Sequence, residues 1–155
     1  MVSPDCPEVC VIAIGNEYRS DDAAGLLVAR RLVEKKLRST TVIQLSGEAT
    51  ALMDAMRGKA TVILVDAMQS GDKEGAISRF DAGTHPLPTR CFRCSTHIIG
   101  VGEAIELARA LGHLPRHVIV YGIEGTRFEL GNDLSPEVVS SVGKVVDRVV
   151  DEIQS

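Results

Sequence analysis

Six groups able to bind a cation or move a proton fall where strand-like runs of the chain end. Asp21 and Asp22 lie in "GNEYRSDDAAG" (15–25), Glu48 in "SGEAT", and Asp66 closes "TVILVD". His97 follows "CFRCST", and Glu124 closes "HVIVYGIE". In open α/β sheets ligands sit outside the carboxyl ends of the strands, and neighbouring strands run about 4.8 Å apart. Side chains at adjacent strand ends can therefore converge on one ion. Two carboxylates and one histidine make an O,O,N donor set, suited to a borderline divalent ion such as Zn²⁺ or Ni²⁺ with open coordination positions.

Each group also has a structural reading. Asp21 reads as a helix starter: with Ser20 beside it, one of the two takes the N-cap, and acids are favoured in a first turn. Asp22 taken alone reads equally as a partner of the helix dipole, and Glu48 as a first-turn acid before "ATALMDAM". His97 alone reads as a half-buried histidine opening a helix. Asp66 resists such a reading. An ionised group at the end of so apolar a run loses hydration unless a partner compensates. His85, His113 and His117 have no carboxylate pattern near them and read as structural.

The elements that must position these groups alternate along the chain. "EVCVIAIG" (8–15) is a continuous apolar run, as a central parallel strand would be. Residues 22–37 carry apolar positions at helical spacing, with basic residues in the last turns. "TTVIQLS" (40–46) predicts a second strand, 50–58 a short helix stopped by Gly58, and "ATVILVDAM" (60–68) a third strand. Residues 75–82 predict a more polar fourth strand, 97–113 a helix that Gly112 caps, and 117–124 the last strand. The final helix, 135–153, has Ser135 at the N-cap and Pro136 at N1, with a stripe of valines to bury. Five strands and four helices in this order predict a three-layer α/β sandwich around a five-stranded twisted, mostly parallel sheet. With 155 residues, no internal repeat and no long linker, a single domain spanning 1–155 is expected.

Composition narrows the class. Aromatics are 3% of a chain that is 45% hydrophobic, so the core must be aliphatic. A net charge of −4, a pI near 5.6 and no basic patch argue against a nucleic-acid partner. The apolar run near the start is too short for a signal or membrane segment, so a soluble, cytoplasmic protein with no membrane partner is expected. Four cysteines, Cys6, Cys10, Cys91 and Cys94, form two pairs. A reducing compartment disfavours disulfides. A four-cysteine zinc site is weighed against burial of Cys10 in a strand, and burial is the stronger reading.

Together, "IGNEYRSDDAAG", "ILVDAM", "STHIIG" and "YGIEG…GNDLSPEV" resemble, in order and over about 9–149, the nickel–iron hydrogenase maturation proteases. The G-N-x-x-x-x-D-[DE]-x-x-G block is the most specific part of the resemblance. It implies an endopeptidase that removes a C-terminal extension from a hydrogenase large-subunit precursor after nickel insertion. It also implies an α/β sandwich around a five-stranded sheet. By motif, the metal-contacting and catalytic set becomes Asp22, Asp66 and His97, reading nickel carried by the precursor; Cd²⁺ or Zn²⁺ would substitute in the isolated protein. Gly15 and Asn16 would shape the first loop, and Gly25 would let the helix pack closely. Two departures stand out. Asp22 is Glu in several relatives, and Ser46 stands where an acid is often found, with Glu48 as its substitute. On this reading Asp21 starts the helix and Asp22 belongs to the site.

No serine or cysteine nucleophile with a paired histidine is evident, so water activated by a carboxylate or by the metal fits better than an acyl-enzyme. The alternative is a receiver-like Mg²⁺-binding phosphoacceptor module, imitated by Asp21/Asp22, Asp66 and Ser95/Thr96. It lacks the lysine that should follow the last strand. A dinucleotide site fails for want of G-x-G-x-x-G.

Overall fold

The computed structural model describes residues 8–88 and 100–155. His97, Cys6, Cys91, Cys94, Ser95 and Thr96 lie outside those residues. In chain order the elements are β1 (Val9–Ile14), a 3-10 turn (Ser20–Ala23), α1 (Ala24–Glu34), β2 (Thr40–Leu45), α2 (Ala49–Met56), β3 (Thr61–Met68), β4 (Ile77–Asp81), α3 (Val101–Ala110), β5 (His117–Glu124) and α4 (Pro136–Gln154).

The strands form one sheet in the order β2-β1-β3-β5-β4. The first four are parallel, and β4 runs antiparallel to β5. The link between Met68 and Ile77 explains the reversal. A parallel crossover needs a dozen or more residues, and this link is shorter. The chain instead turns back and leaves room for β5 between its two ends.

The order also removes the receiver-like alternative. A flavodoxin-like receiver sheet is ordered 2-1-3-4-5, with its last strand at the edge. Here β5 occupies the interior beside β3, and the antiparallel β4 forms the edge.

Alternation along the strands divides the core into two layers. Val9, Val11, Ile63, Val65, Ile119 and Tyr121 face α1 and α4, while Cys10, Ile12, Val62, Leu64, Val118 and Val120 face α2 and α3. α4 is held by Val138, Val142, Val145, Val146 and Val149, all buried. Burying such side chains contributes about 1.5–3 kcal/mol each, enough to fix a helix whose opposite face is charged. Cys10 lies wholly within the aliphatic layer as a free thiol, and burial pushes its pKa up. A thiol so placed is a small core hydrophobe.

Helix ends follow the expected punctuation, with Gly58 and Gly112 at positive φ just past α2 and α3. The start of α1 differs from the sequence reading. Four residues of 3-10 turn precede it, and Ser20 sits at φ 51.

Candidate functional site

Asp66 lies on β3 two residues before its end, since the strand continues through Ala67 to Met68. Its parity with Leu64 and Met68 turns it toward the α2/α3 layer, and it is 3% exposed. Burial is the chief reason that its pKa stands well above the ordinary carboxylate range. The negative charge of Asp22 adds to the rise, and the Ala67 amide partly opposes it. The structure thus brings Asp22 and Asp66 into electrostatic contact.

Asp22 rides on the 3-10 turn beyond β1, half-buried, and one of its carboxylate oxygens accepts from the Asn16 amide at 3.1 Å. Asn16 in turn accepts from the Tyr18 amide at 2.9 Å through its side-chain carbonyl, which shapes the loop. Two glycines let the turn approach the sheet. A Cβ at Gly15 would lie 2.1 Å from the Asp22 carbonyl oxygen. At Gly25 it would lie 2.6 Å from the Val65 carbonyl and 2.7 Å from that of Ile14. Neither position has room for a side chain.

Asp21 does not cap the helix. No side chain caps the 3-10 turn or α1. The Asp21 carboxylate, fully buried, instead reaches across the fold to the segment between β5 and α4. It accepts from the amides of Thr126 and Arg127 at 3.0 Å each, from the Ser135 amide at 2.8 Å and from the Ser135 hydroxyl at 2.9 Å. Burial alone would raise its proton affinity, but these four donors outweigh it and hold the carboxyl below its ordinary value. Ser135 correspondingly occupies the N-cap position of α4 while giving its hydroxyl to Asp21 and none to the helix. The motif's first acid and its distant "LSPEV" serine are thus one clamp. No local capping rule reveals such a pairing.

The same two segments are joined by main chain. The Ser20 amide donates to the Gly131 carbonyl, the Gly131 amide to Tyr18, and the Asp21 amide to Arg127. The turn that carries Asp22 is therefore fastened on both sides.

Glu124 and Glu48 fall away from the predicted convergence. Glu124 is buried at the end of β5, where it accepts from the Ser70 amide and hydroxyl at 2.9 and 2.8 Å and from the Gly71 amide at 3.0 Å. It anchors the β3–β4 link. Glu48 is exposed before α2 and accepts from the Thr50 hydroxyl at 3.0 Å. Among the described residues no three His, Cys, Asp or Glu side chains are grouped to hold a metal. Of the expected set, Asp22 and Asp66 lie near enough for the charge of one to act on the other, and His97 lies outside the described residues. The donor chemistry suits a cation. A buried carboxyl whose proton affinity is raised by burial and by a neighbouring carboxylate is relieved by positive charge.

Comparison with known proteins agrees with this architecture. The family model described as "HycI: Hydrogenase maturation protease" matches residues 26–152. The chain is 24% identical over 148 residues to the hydrogenase expression/formation protein HupD of Thiocapsa roseopersicina, which covers 94% of this chain and 67% of that protein. The [NiFe] hydrogenase maturation protease HybD from Thermococcus kodakarensis superposes with a TM-score of 0.72 at 24% identity, over 94% of this chain and 99% of that one. The hydrogenase maturating endopeptidase HybD from E. coli gives 0.75 at 18% identity, over 95% and 92%.

Proposed function

The chain belongs to the hydrogenase maturation protease family, and from that premise we propose that it removes the C-terminal extension of a nickel–iron hydrogenase large-subunit precursor once nickel is in place. The reading is carried by Asp66, a carboxyl buried beside the charge of Asp22 and biased toward its protonated form. Burial and the neighbouring charge both favour the proton over the bare carboxylate there, and a cation would remove that preference. Nickel presented by the precursor would displace that proton and be met by Asp22, Asp66 and His97.

The arrangement makes hydrolysis conditional on the substrate's metal. Asp22 is pre-aimed by the Asn16 amide and by the clamped turn, so little reorganisation is needed when the precursor docks. A carboxylate of the pair, or the bound ion, would activate the attacking water, and the ion would polarise the scissile carbonyl. Among the described residues no helix is long and apolar enough to cross a membrane. This suits a protein that meets its precursor in the cytoplasm.

The test uses matched precursors, nickel-loaded and nickel-free, with cleavage followed by intact mass. Wild type is expected to cut the loaded form alone, and Asp22→Ala, Asp66→Ala and His97→Ala to abolish cutting. Equal cleavage of the nickel-free precursor would refute metal reading.

A further inference from the structure

The two edges of the sheet are built differently. β4, at one edge, reads "ISRFD" and carries Arg79 and Asp81, charges of the kind that keep an edge from pairing with other chains. β2, at the other edge, reads "TTVIQL", with no charge, proline or bulge, and no described strand pairs with its outer side. All of its residues are half-buried or exposed.

Main-chain parity shows what this edge offers. In a parallel pair the amide and carbonyl of one residue point to the same side, and successive residues alternate. The Gly15 amide donates to the Leu45 carbonyl at 3.1 Å and the Val9 amide to the Ser39 carbonyl at 2.9 Å. Odd-numbered residues of this stretch therefore face β1, and Val42 and Gln44 turn their amides and carbonyls outward. At its C-terminal end the edge opens into a cavity of about 420 Å³ lined on one side by Gln44, Leu45 and Ser46 and on the other by Tyr18, Leu26 and Arg30. Asp22 also lines it. The groove thus links unpaired backbone groups to a carboxylate of the site.

Resting on the function proposed above, we infer that β2 is the docking rail for the precursor: the segment flanking the scissile bond lies along it as an added strand. An endopeptidase must hold its substrate extended, and β-strand addition supplies backbone hydrogen bonds for affinity and alternate side-chain pockets for choice. The outward groups of Val42 and Gln44 are complementary to a peptide main chain. Tyr18 and Leu26 offer an apolar wall for the side chains that project on the α1 side. A second copy of this chain is the competing occupant, but pairing two copies through β2 would not use the groove's connection to Asp22.

The experiment takes the wild-type protein and nickel-loaded precursors whose C-terminal segments, joined by ligation, carry single amide-to-ester replacements away from the scissile bond. An added strand loses an edge-facing donor at every second position. Cleavage efficiency, kcat/KM, is expected to fall about five- to tenfold at alternate residues and to stay unchanged between them. Gln44→Pro, which removes an outward amide and leaves the bonds to β1, is expected to raise KM by a similar factor with an unchanged circular dichroism spectrum. A response without period two would overturn the inference, as would a folded Gln44→Pro that cleaves like wild type. Should that variant not fold, the ester series decides alone. Concentration-dependent dimers abolished by Gln44→Pro would assign the edge to a second copy and overturn it as well. Failure of wild type to cut the unmodified loaded precursor would instead refute the underlying function.

Discussion

Replacing Asp21 by alanine tests the clamp most directly. The substitution deletes an acceptor of four hydrogen bonds that join positions more than a hundred residues apart in sequence. Thr126 and Arg127 are exposed residues whose amides can recruit water, whereas Ser135 is 2% exposed. Its amide would lose its partner in a dry site, while its hydroxyl can turn to the Glu74 carboxylate. An unsatisfied buried donor costs about 1–3 kcal/mol. The expected loss is therefore about 1–3 kcal/mol, a sizeable share of the roughly 5–15 kcal/mol of a typical domain. Urea denaturation of Asp21→Ala against wild type at pH 7 measures it. Asp21→Asn should fall between the two, because its amide nitrogen must face a donor whichever way it turns. The pH dependence supplies a second check. The folded carboxyl titrates below its ordinary value of 3.8, so its contribution is fully present above that value and is lost as pH falls through the folded pKa. The gap between wild type and Asp21→Asn should therefore narrow below about pH 4. A loss under about 1 kcal/mol for Asp21→Ala, in the range of ordinary surface substitutions, would refute the clamp.

Three further outcomes follow from the same geometry. Asp66→Asn should raise Tm at neutral pH: the folded carboxyl binds its proton more tightly than the unfolded one, so stability falls as pH rises above 3.8 through the folded pKa. The gain should vanish below about pH 4, and differential scanning calorimetry across pH would show it. Gly25→Ala drives a Cβ into the Val65 and Ile14 carbonyls and should cost about 1–3 kcal/mol by chemical denaturation, with α1 displaced from the strand ends. Glu124→Ala should cost only about 1–2 kcal/mol by chemical denaturation, because the released donors of Ser70 and Gly71 are exposed and can recruit water.

Much of the fold was legible because its signals are local. The runs around Ile12, Leu64 and Val120 are buried from both sides and read as unbroken apolar stretches. The valine stripe of α4 and the glycines after α2 and α3 gave the helices and their ends. The position of β4 was not legible, because pairing across β5 is set by the length of a link and not by composition. At the site, Asp66 stood out because a carboxylate in "TVILVD" has no cheap local explanation. Asp21 was misread for the opposite reason: an acid beside a helix start has an adequate local explanation, and the true partner, Ser135, lies at the other end of the chain. Glu124 and Glu48 share the strand-end position of Asp66, but position alone does not say whether a carboxylate is already satisfied by amides, as Glu124 is.

That distinction bears on how the rim of the sheet is used. Asp21 and Glu124 are both buried acids, and each spends its acceptor capacity on main-chain amides and a serine hydroxyl. One fastens the turn bearing Asp22 to the loop before α4, and the other fastens the link after β3, just beyond Asp66. Asp66 is treated differently. The protein surrounds it with apolar side chains and sets a like charge near it, which favours the proton over the ion. Ionising Asp66 beside Asp22 would set two like charges in a poorly hydrated place, and movement that separates or hydrates them would relieve it. The Asp21 clamp opposes such movement of the turn that bears Asp22. The buried acids thus differ in kind: Asp21 and Glu124 have their acceptor capacity taken up by backbone and serine donors, whereas Asp66 would exchange its proton for a cation carried by the precursor.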